Sequence, residues 1–70
     1  MIPLILVETG EENIIKKVGG KAEFKQHLEN LGFVVGGSVK VISAMSGNLI
    51  VQVKNSRLAI SKETAQKIMI

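Results

Sequence analysis

The residues that could carry catalysis or hold a metal ion are few in this chain. It has no cysteine and a single histidine, His27, and its six acidic residues are all glutamates. Iron and zinc sites need clustered His, Cys, Asp or Glu side chains, and a catalytic nucleophile needs a base and an orienting group. We therefore predict no enzyme activity, no metal site and no bound cofactor.

Three features come nearest to such a site, and each has a simpler interpretation. Adjacent strand residues point to opposite faces, so Glu11-Glu12 fits a solvated turn better than a pair of iron ligands. His27 could be a ligand or a proton carrier, but at the border of a helical apolar stripe it is more often a packing residue. The segments 19–21 and 36–38 lack the full spacing of phosphate loops, which favours turns.

Length and composition predict one domain, residues 1–70, in a reducing compartment. With 46% hydrophobic residues the chain can form one small core. Small secreted domains usually rely on disulfides, which this chain cannot form. The apolar run at residues 1–7 is much shorter than the roughly 20 residues that span a bilayer, so we interpret it as part of the fold. These features favour the cytoplasm.

The first half of the chain predicts a strand and a longer helix. β-branched residues favour a strand within residues 11–18. Apolar residues recur at helical spacing over residues 21–31, which predicts an amphipathic helix. Gly32 suits the left-handed conformation that ends a helix, and Phe33 can then fold back on Leu28.

The second half predicts a three-stranded meander with strands at residues 38–45, 49–54 and 57–60. Turn residues at 46–48 and 55–56 connect these strands. Ser61 can cap a short helix over Lys62–Lys67, and Ile68–Ile70 then close the sheet. Short strands with tight turns and an inserted helix predict a small closed barrel of about five strands, one longer helix and one short helix.

The meander has a predicted outer face that resembles a protein interface. Alternation places Val39, Val41, Ser43 and Met45 inside, and Leu49, Val51 and Val53 inside on the next strand. It leaves an apolar centre on the outside with a charged rim. The candidate partner-binding residues are Lys40, Ile42, Ala44, Ile50, Gln52, Lys54 and Arg57. The alternative is that the first segment or the last strand covers Ile42 and Ile50.

Other kinds of recognition have less support. Proline-rich peptides dock on aromatic grooves, but the chain has no Trp or Tyr and two Phe residues. Binding of single-stranded nucleic acid uses aromatic stacking and a basic groove, of which Lys40, Lys54 and Arg57 could supply only the groove. Nucleic-acid binding by a small basic barrel is therefore the alternative function.

The order of several short motifs resembles a known family. Leu31-Gly32-Phe33, Val39-Lys40-Val41, Leu49-Ile50-Val51-Gln52-Val53 and Arg57-Leu58-Ala59-Ile60 are similar to the FeoA domain over nearly the whole chain. Each motif is weak alone, whereas their order and spacing are more specific.

This resemblance implies an SH3-like barrel that is either free-standing or a C-terminal module of an iron-dependent repressor. A stand-alone FeoA-like regulatory module is a further alternative function. It further implies a non-catalytic accessory of bacterial ferrous-iron uptake. The expected partner is the cytoplasmic GTP-binding region of a FeoB-type permease, which would bring the chain to the inner membrane. The outer face of the meander would dock on that permease or on a second copy of the chain, and no small-molecule substrate is expected.

Overall fold

Six short strands and two helices, preceded by a 3₁₀ helix, make up residues 1–70 in the computed structural model. The elements are the 3₁₀ helix Leu4–Leu6, β1 Glu12–Ile14, β2 Lys17–Val18, α1 Ala22–Leu31, β3 Ser38–Met45, β4 Asn48–Val53, β5 Ser56–Ser61, α2 Lys62–Gln66 and β6 Ile68–Met69. The predicted β-rich fold with one longer inserted helix and one short helix is confirmed.

The strands form two antiparallel sheets. The large sheet has the order β1-β3-β4-β5, and the small sheet pairs β2 with β6. The N-terminal segment extends the small sheet, because Ile2 and Ile70 exchange backbone hydrogen bonds of 3.0 and 2.9 Å and Pro3 bridges to Met69. The last residues therefore belong to the small sheet with β2 and the N-terminal segment, and they do not join the sheet of the meander as predicted.

The segment predicted as one strand over residues 11–18 forms two strands in different sheets. Between them Ile15 is fully buried. Its N–H donates to the carbonyl of Gly37, and its carbonyl accepts from the N–H of Gly36, both at 2.8 Å. Lys16 N–H then donates to the carbonyl of Met69 at 2.8 Å. The chain thus passes from the large sheet to the small sheet at residues 15–16.

The end of α1 follows the prediction closely. Gly32 adopts a left-handed conformation with φ of 109°, where a side chain would be strained. The N–H of Phe33 donates to the carbonyl of Leu28 at 2.9 Å, as in a Schellman motif. Both Phe33 and Leu28 are buried, so the helix stop also delivers two side chains to the core.

The core lies between the two sheets and α1 and draws on almost every element. Its buried residues are Leu4, Ile15, Val18, Leu28, Phe33, Val39, Val41, Leu49, Val51, Val53, Ile60, Ala65, Ile68 and Ile70. Burial of apolar surface is the main favourable term in folding, and here both sheets depend on the same cluster.

A β-bulge interrupts β3. Val41 lies opposite Val51, whereas Ser43 lies opposite Ile50, so Ile42 is an extra residue on β3. Residues directly opposite each other in an antiparallel pair share a face. Ser43 therefore lies on the outer side with Ile50, and the prediction that Ser43 points inward was wrong.

The bulge also exchanges the sides of the sheet to which the last side chains of β3 point. Ala44 lies opposite the buried Leu49 and Met45 lies opposite Asn48. Ala44 consequently shares the side of Leu49 but is exposed near the end of the strand, and Met45 points to the other side with 59% of its surface exposed. The uninterrupted alternation assigned both residues to the opposite faces, because an extra residue shifts every later side chain of a strand.

The β4–β5 hairpin differs by one residue from the prediction. Its turn is Lys54–Asn55, with φ of 47° and 64°, as in a type I′ turn, whereas the turn was predicted at 55–56. Leu58 lies opposite Val51, and Ile60 lies opposite Leu49.

The short helix α2 begins at the predicted cap. Ser61 Oγ accepts a hydrogen bond from the N–H of Thr64 at 3.2 Å and donates to Thr64 Oγ1 at 3.0 Å. Since the first N–H groups of a helix have no partner within the helix, this cap stabilises its start. The cap therefore sets the residue at which α2 begins.

Candidate partner-binding site

The outer side of the large sheet carries most of the residues predicted to bind a partner. Lys40, Gln52 and Arg57 lie directly opposite one another on β3, β4 and β5. Glu12 of β1 completes the row on the far side of Lys40. We call this outer side the large-sheet face. It combines two cations, one amide and one carboxylate across four strands.

A shallow depression of about 140 Å³ lies on the large-sheet face. Its lining residues are Glu12, Ser38, Lys40, Gln52, Lys54 and Asn55. All except the glutamate can donate hydrogen bonds. The stem of Lys54 lies beside the end of α1, since a Cβ at Gly32 would be 3.5 Å from Lys54 Cδ. The depression can therefore receive a carboxylate or another anionic group.

The apolar centre expected on this face is smaller than predicted. Ile42 and Ile50 are half-buried, and Ala44 lies on the other side of the sheet because of the bulge. Five of the predicted residues, Lys40, Ile50, Gln52, Lys54 and Arg57, share the large-sheet face or its bordering turn. The face is therefore mainly polar and basic, with Ile50 as its central apolar side chain.

The structure brings together a second surface that the sequence analysis missed. We call it the small-sheet groove, an open groove of about 340 Å³ on the outer side of the small sheet. Its lining residues are Met1, Lys17, Gly19, Gln66, Lys67 and Met69. The Nζ atom of Lys67 lies 4.6 Å from the centroid of the Phe24 ring.

The pairing of the small sheet explains which side chains enter the groove. Lys17 lies opposite Met69, and Val18 opposite Ile68. Val18 and Ile68 are buried, so the alternation of a strand directs Lys17 and Met69 outward. The alternation of residues 68–70 could have indicated that Met69 points outward, but nothing local in the sequence indicates that residues 17–18 pair with them.

The residues considered for metal binding do not form a metal site. His27 is exposed on α1, so the interpretation as a packing residue was wrong. Glu11 and Glu12 are exposed as well. No group of three His, Cys, Asp or Glu side chains is arranged to hold a metal ion. Neither helix has the length and apolar character needed to cross a membrane.

One family model, described as the FeoA domain, matches residues 2–70. The chain belongs to the FeoA domain family. It is also 37% identical over 70 residues to a protein of Methanocaldococcus jannaschii named Fe(2+) transport protein A. The alignment covers the whole of this chain and 85% of that relative. The resemblance seen in the short motifs is therefore confirmed.

Solved FeoA structures have the same fold. The crystal structure of a FeoA described as an iron uptake regulatory protein is 26% identical, with a TM-score of 0.89 over 97% of this chain and 92% of that one. The zinc complex of Stenotrophomonas maltophilia FeoA, described as an SH3 domain protein, is 21% identical. Its TM-score is 0.84 over 99% of this chain and 88% of that one. The predicted SH3-like barrel is thus confirmed.

Proposed function

We propose that this FeoA-family chain is a non-catalytic accessory of ferrous-iron uptake that binds the cytoplasmic GTP-binding region of a FeoB-type permease. The family match over residues 2–70 carries this proposal, together with the related protein named for Fe(2+) transport. The chain would act in the cytoplasm, held at the inner membrane through its partner.

The large-sheet face is the proposed contact with the permease. Its row of Lys40, Gln52 and Arg57 offers directed donors across three strands, and half-buried Ile50 supplies apolar area near the centre. Charged groups at the edge of an interface mainly set its specificity and association rate. An acidic surface on the partner would complement this face.

Binding to the isolated cytoplasmic GTP-binding region of the permease tests the proposal. We expect a complex at physiological salt, where charge attraction is screened beyond about 8 Å. The double variant Lys40→Glu/Arg57→Glu and the single variant Ile50→Glu should each weaken binding by about tenfold or more. Calorimetric titration measures the affinity, and thermal unfolding verifies that each variant is folded.

A matched control changes the same amount of charge elsewhere. Lys25 and Lys62 are exposed on the two helices, so Lys25→Glu/Lys62→Glu should leave the affinity within about twofold. Loss of binding in this control to the same extent would contradict the assignment of the face. The proposed function would be contradicted if the folded wild-type chain did not bind the permease fragment but bound single-stranded nucleic acid with steep salt dependence.

A further inference from the structure

We propose that the small-sheet groove binds an acidic amphipathic segment of a partner protein. An apolar side chain would enter between Met1 and Met69, and carboxylates beside it would meet Lys17 and Lys67. This inference goes beyond the proposed function, because it concerns the other sheet and holds whichever protein supplies the segment.

The shape of the groove suits an inserted apolar side chain. An apolar cavity of about 150 Å³ can hold a benzene molecule, and the groove offers about 340 Å³. Met69 faces outward from β6, and its bridge partner is Pro3. Met1 lies two residues before Pro3 in the chain. Both methionines line the groove, and their flexible thioether side chains adapt to irregular partners.

The charged residues that line the groove have one sign. The lining contains Lys17 and Lys67 and no acidic residue. No lysine takes part in any of the three side-chain hydrogen bonds. These ammonium groups are therefore available to carboxylates, and two methionines flanked by lysines complement an acidic amphipathic segment.

Other occupants fit the groove less well. A second copy of the chain would bring like charges together, since the chain carries a net charge of +3 and its groove is edged by lysines. Nucleic acid needs aromatic side chains for stacking, and none lines the groove. A lipid surface is best met by a broad apolar face, whereas only two of the lining residues, Met1 and Met69, are apolar. The second copy and the lipid surface each have their own result in the test below.

The three methionines of the chain provide a direct readout. Carbon-13 labelling of their ε-methyl groups gives signals for Met1 and Met69 in the groove and for Met45, which is exposed at the tip of the β3–β4 hairpin. The probe is a helical peptide with a leucine stripe flanked by glutamates. We expect it to shift the Met1 and Met69 signals and leave Met45 unchanged. The same peptide with lysines in place of glutamates should bind about tenfold more weakly or worse.

Charge reversal identifies the residues that make the contact. Lys17→Glu alone, and Lys17→Glu/Lys67→Glu together, should weaken binding of the acidic peptide progressively, by about tenfold for the pair. The single variant keeps the Lys67 contact with Phe24, so it tests the groove if the double variant fails to fold. Lys25→Glu/Lys62→Glu has the same change in net charge and should stay within about twofold.

Four results would overturn the proposal. The acidic peptide could leave all methyl signals in place, or it could shift Met45 together with Met1 and Met69. Vesicles containing phosphatidylglycerol could shift Met1 and Met69 where the peptide does not, which would make the groove a lipid contact. Sedimentation could show a dimer that Lys17→Glu disrupts, which would make the occupant a second copy.

Discussion

The two outer faces of this small barrel are both basic but differ in construction. Most of the large-sheet face is a polar row on β3, β4 and β5, which follow one another in the chain as hairpins, and Glu12 of β1 extends it. The small-sheet groove is lined by two methionines and joins residues 17–19 with residues 66–69 and Met1. The comparison shows that one shared core can carry two surfaces with different chemistry, because the sheets present their outward positions independently.

The largest expected effect tests whether both faces depend on the shared core. Phe33→Ala removes a completely buried ring and should lower the free energy of unfolding by about 3 to 5 kcal/mol. A domain of this size has about 4 to 10 kcal/mol in total, so both faces should be lost together. Chemical denaturation measures the change.

Phe24→Ala is the matched control for this prediction, since Phe24 is half-buried against the same core. Phe24→Ala should lower the free energy of unfolding by less than half as much as Phe33→Ala does. Equal costs would mean that the core extends under α1 further than its burial pattern indicates. Loss of one face alone in Phe33→Ala would contradict the idea of a shared core.

The second effect separates the faces, because it acts on the large sheet only. Asn13 of β1 lies opposite the buried Val39, and its buried Nδ2 atom has no hydrogen-bond partner. Asn13→Leu keeps the branched shape without the unpaired amide and should raise the free energy of unfolding by about 1 to 3 kcal/mol. Amide hydrogen exchange should slow in β1 and β3.

A charged side chain at this position provides the control. Asn13→Asp would place a carboxylate in the same partly buried space and should destabilise the chain. A neutral or destabilising effect of Asn13→Leu would mean that the amide has a hydrogen-bond partner in solution. The inner side of β1 would then be more hydrated than its burial indicates.

The third effect is smaller and acts on the small-sheet groove. Ser61→Ala removes the cap of α2, which carries Gln66 and leads directly into Lys67. It should cost about 1 kcal/mol and speed amide exchange in α2, while the row of Lys40, Gln52 and Arg57 stays unchanged. Ser56→Ala is the control, because Ser56 is exposed and makes no side-chain hydrogen bond. Similar costs for both variants would argue against the cap.

Local patterns predicted the parts of the fold that are built locally. Helical spacing together with Gly32 predicted the end of α1, and Ser61 predicted the start of α2. Alternation of apolar residues predicted the meander. Each of these features depends on side chains within a few residues of one another, so its physical cause is visible in a short window of sequence.

The two main errors have causes outside such a window. The division of residues 11–18 depends on pairing with β6, about fifty positions further along the chain, and so does the small-sheet groove. The bulge at Ile42 has no local signal, because Ser43 and Ala44 are small enough to fit either side of a sheet. The resemblance to the FeoA domain identified the fold without indicating which residues face a partner.

The smallest expected effect tests that bulge. Met45 points outward with 59% exposure, whereas regular alternation would bury it. Met45→Glu should therefore change the free energy of unfolding by no more than about 0.5 kcal/mol. The neighbouring Leu49→Glu places a charge at a position that is 3% exposed and should be strongly destabilising. A large cost for Met45→Glu would mean that β3 alternates without interruption in solution. Ala44 would then join Ile50 outside, and the large-sheet face would be more apolar than the small-sheet groove.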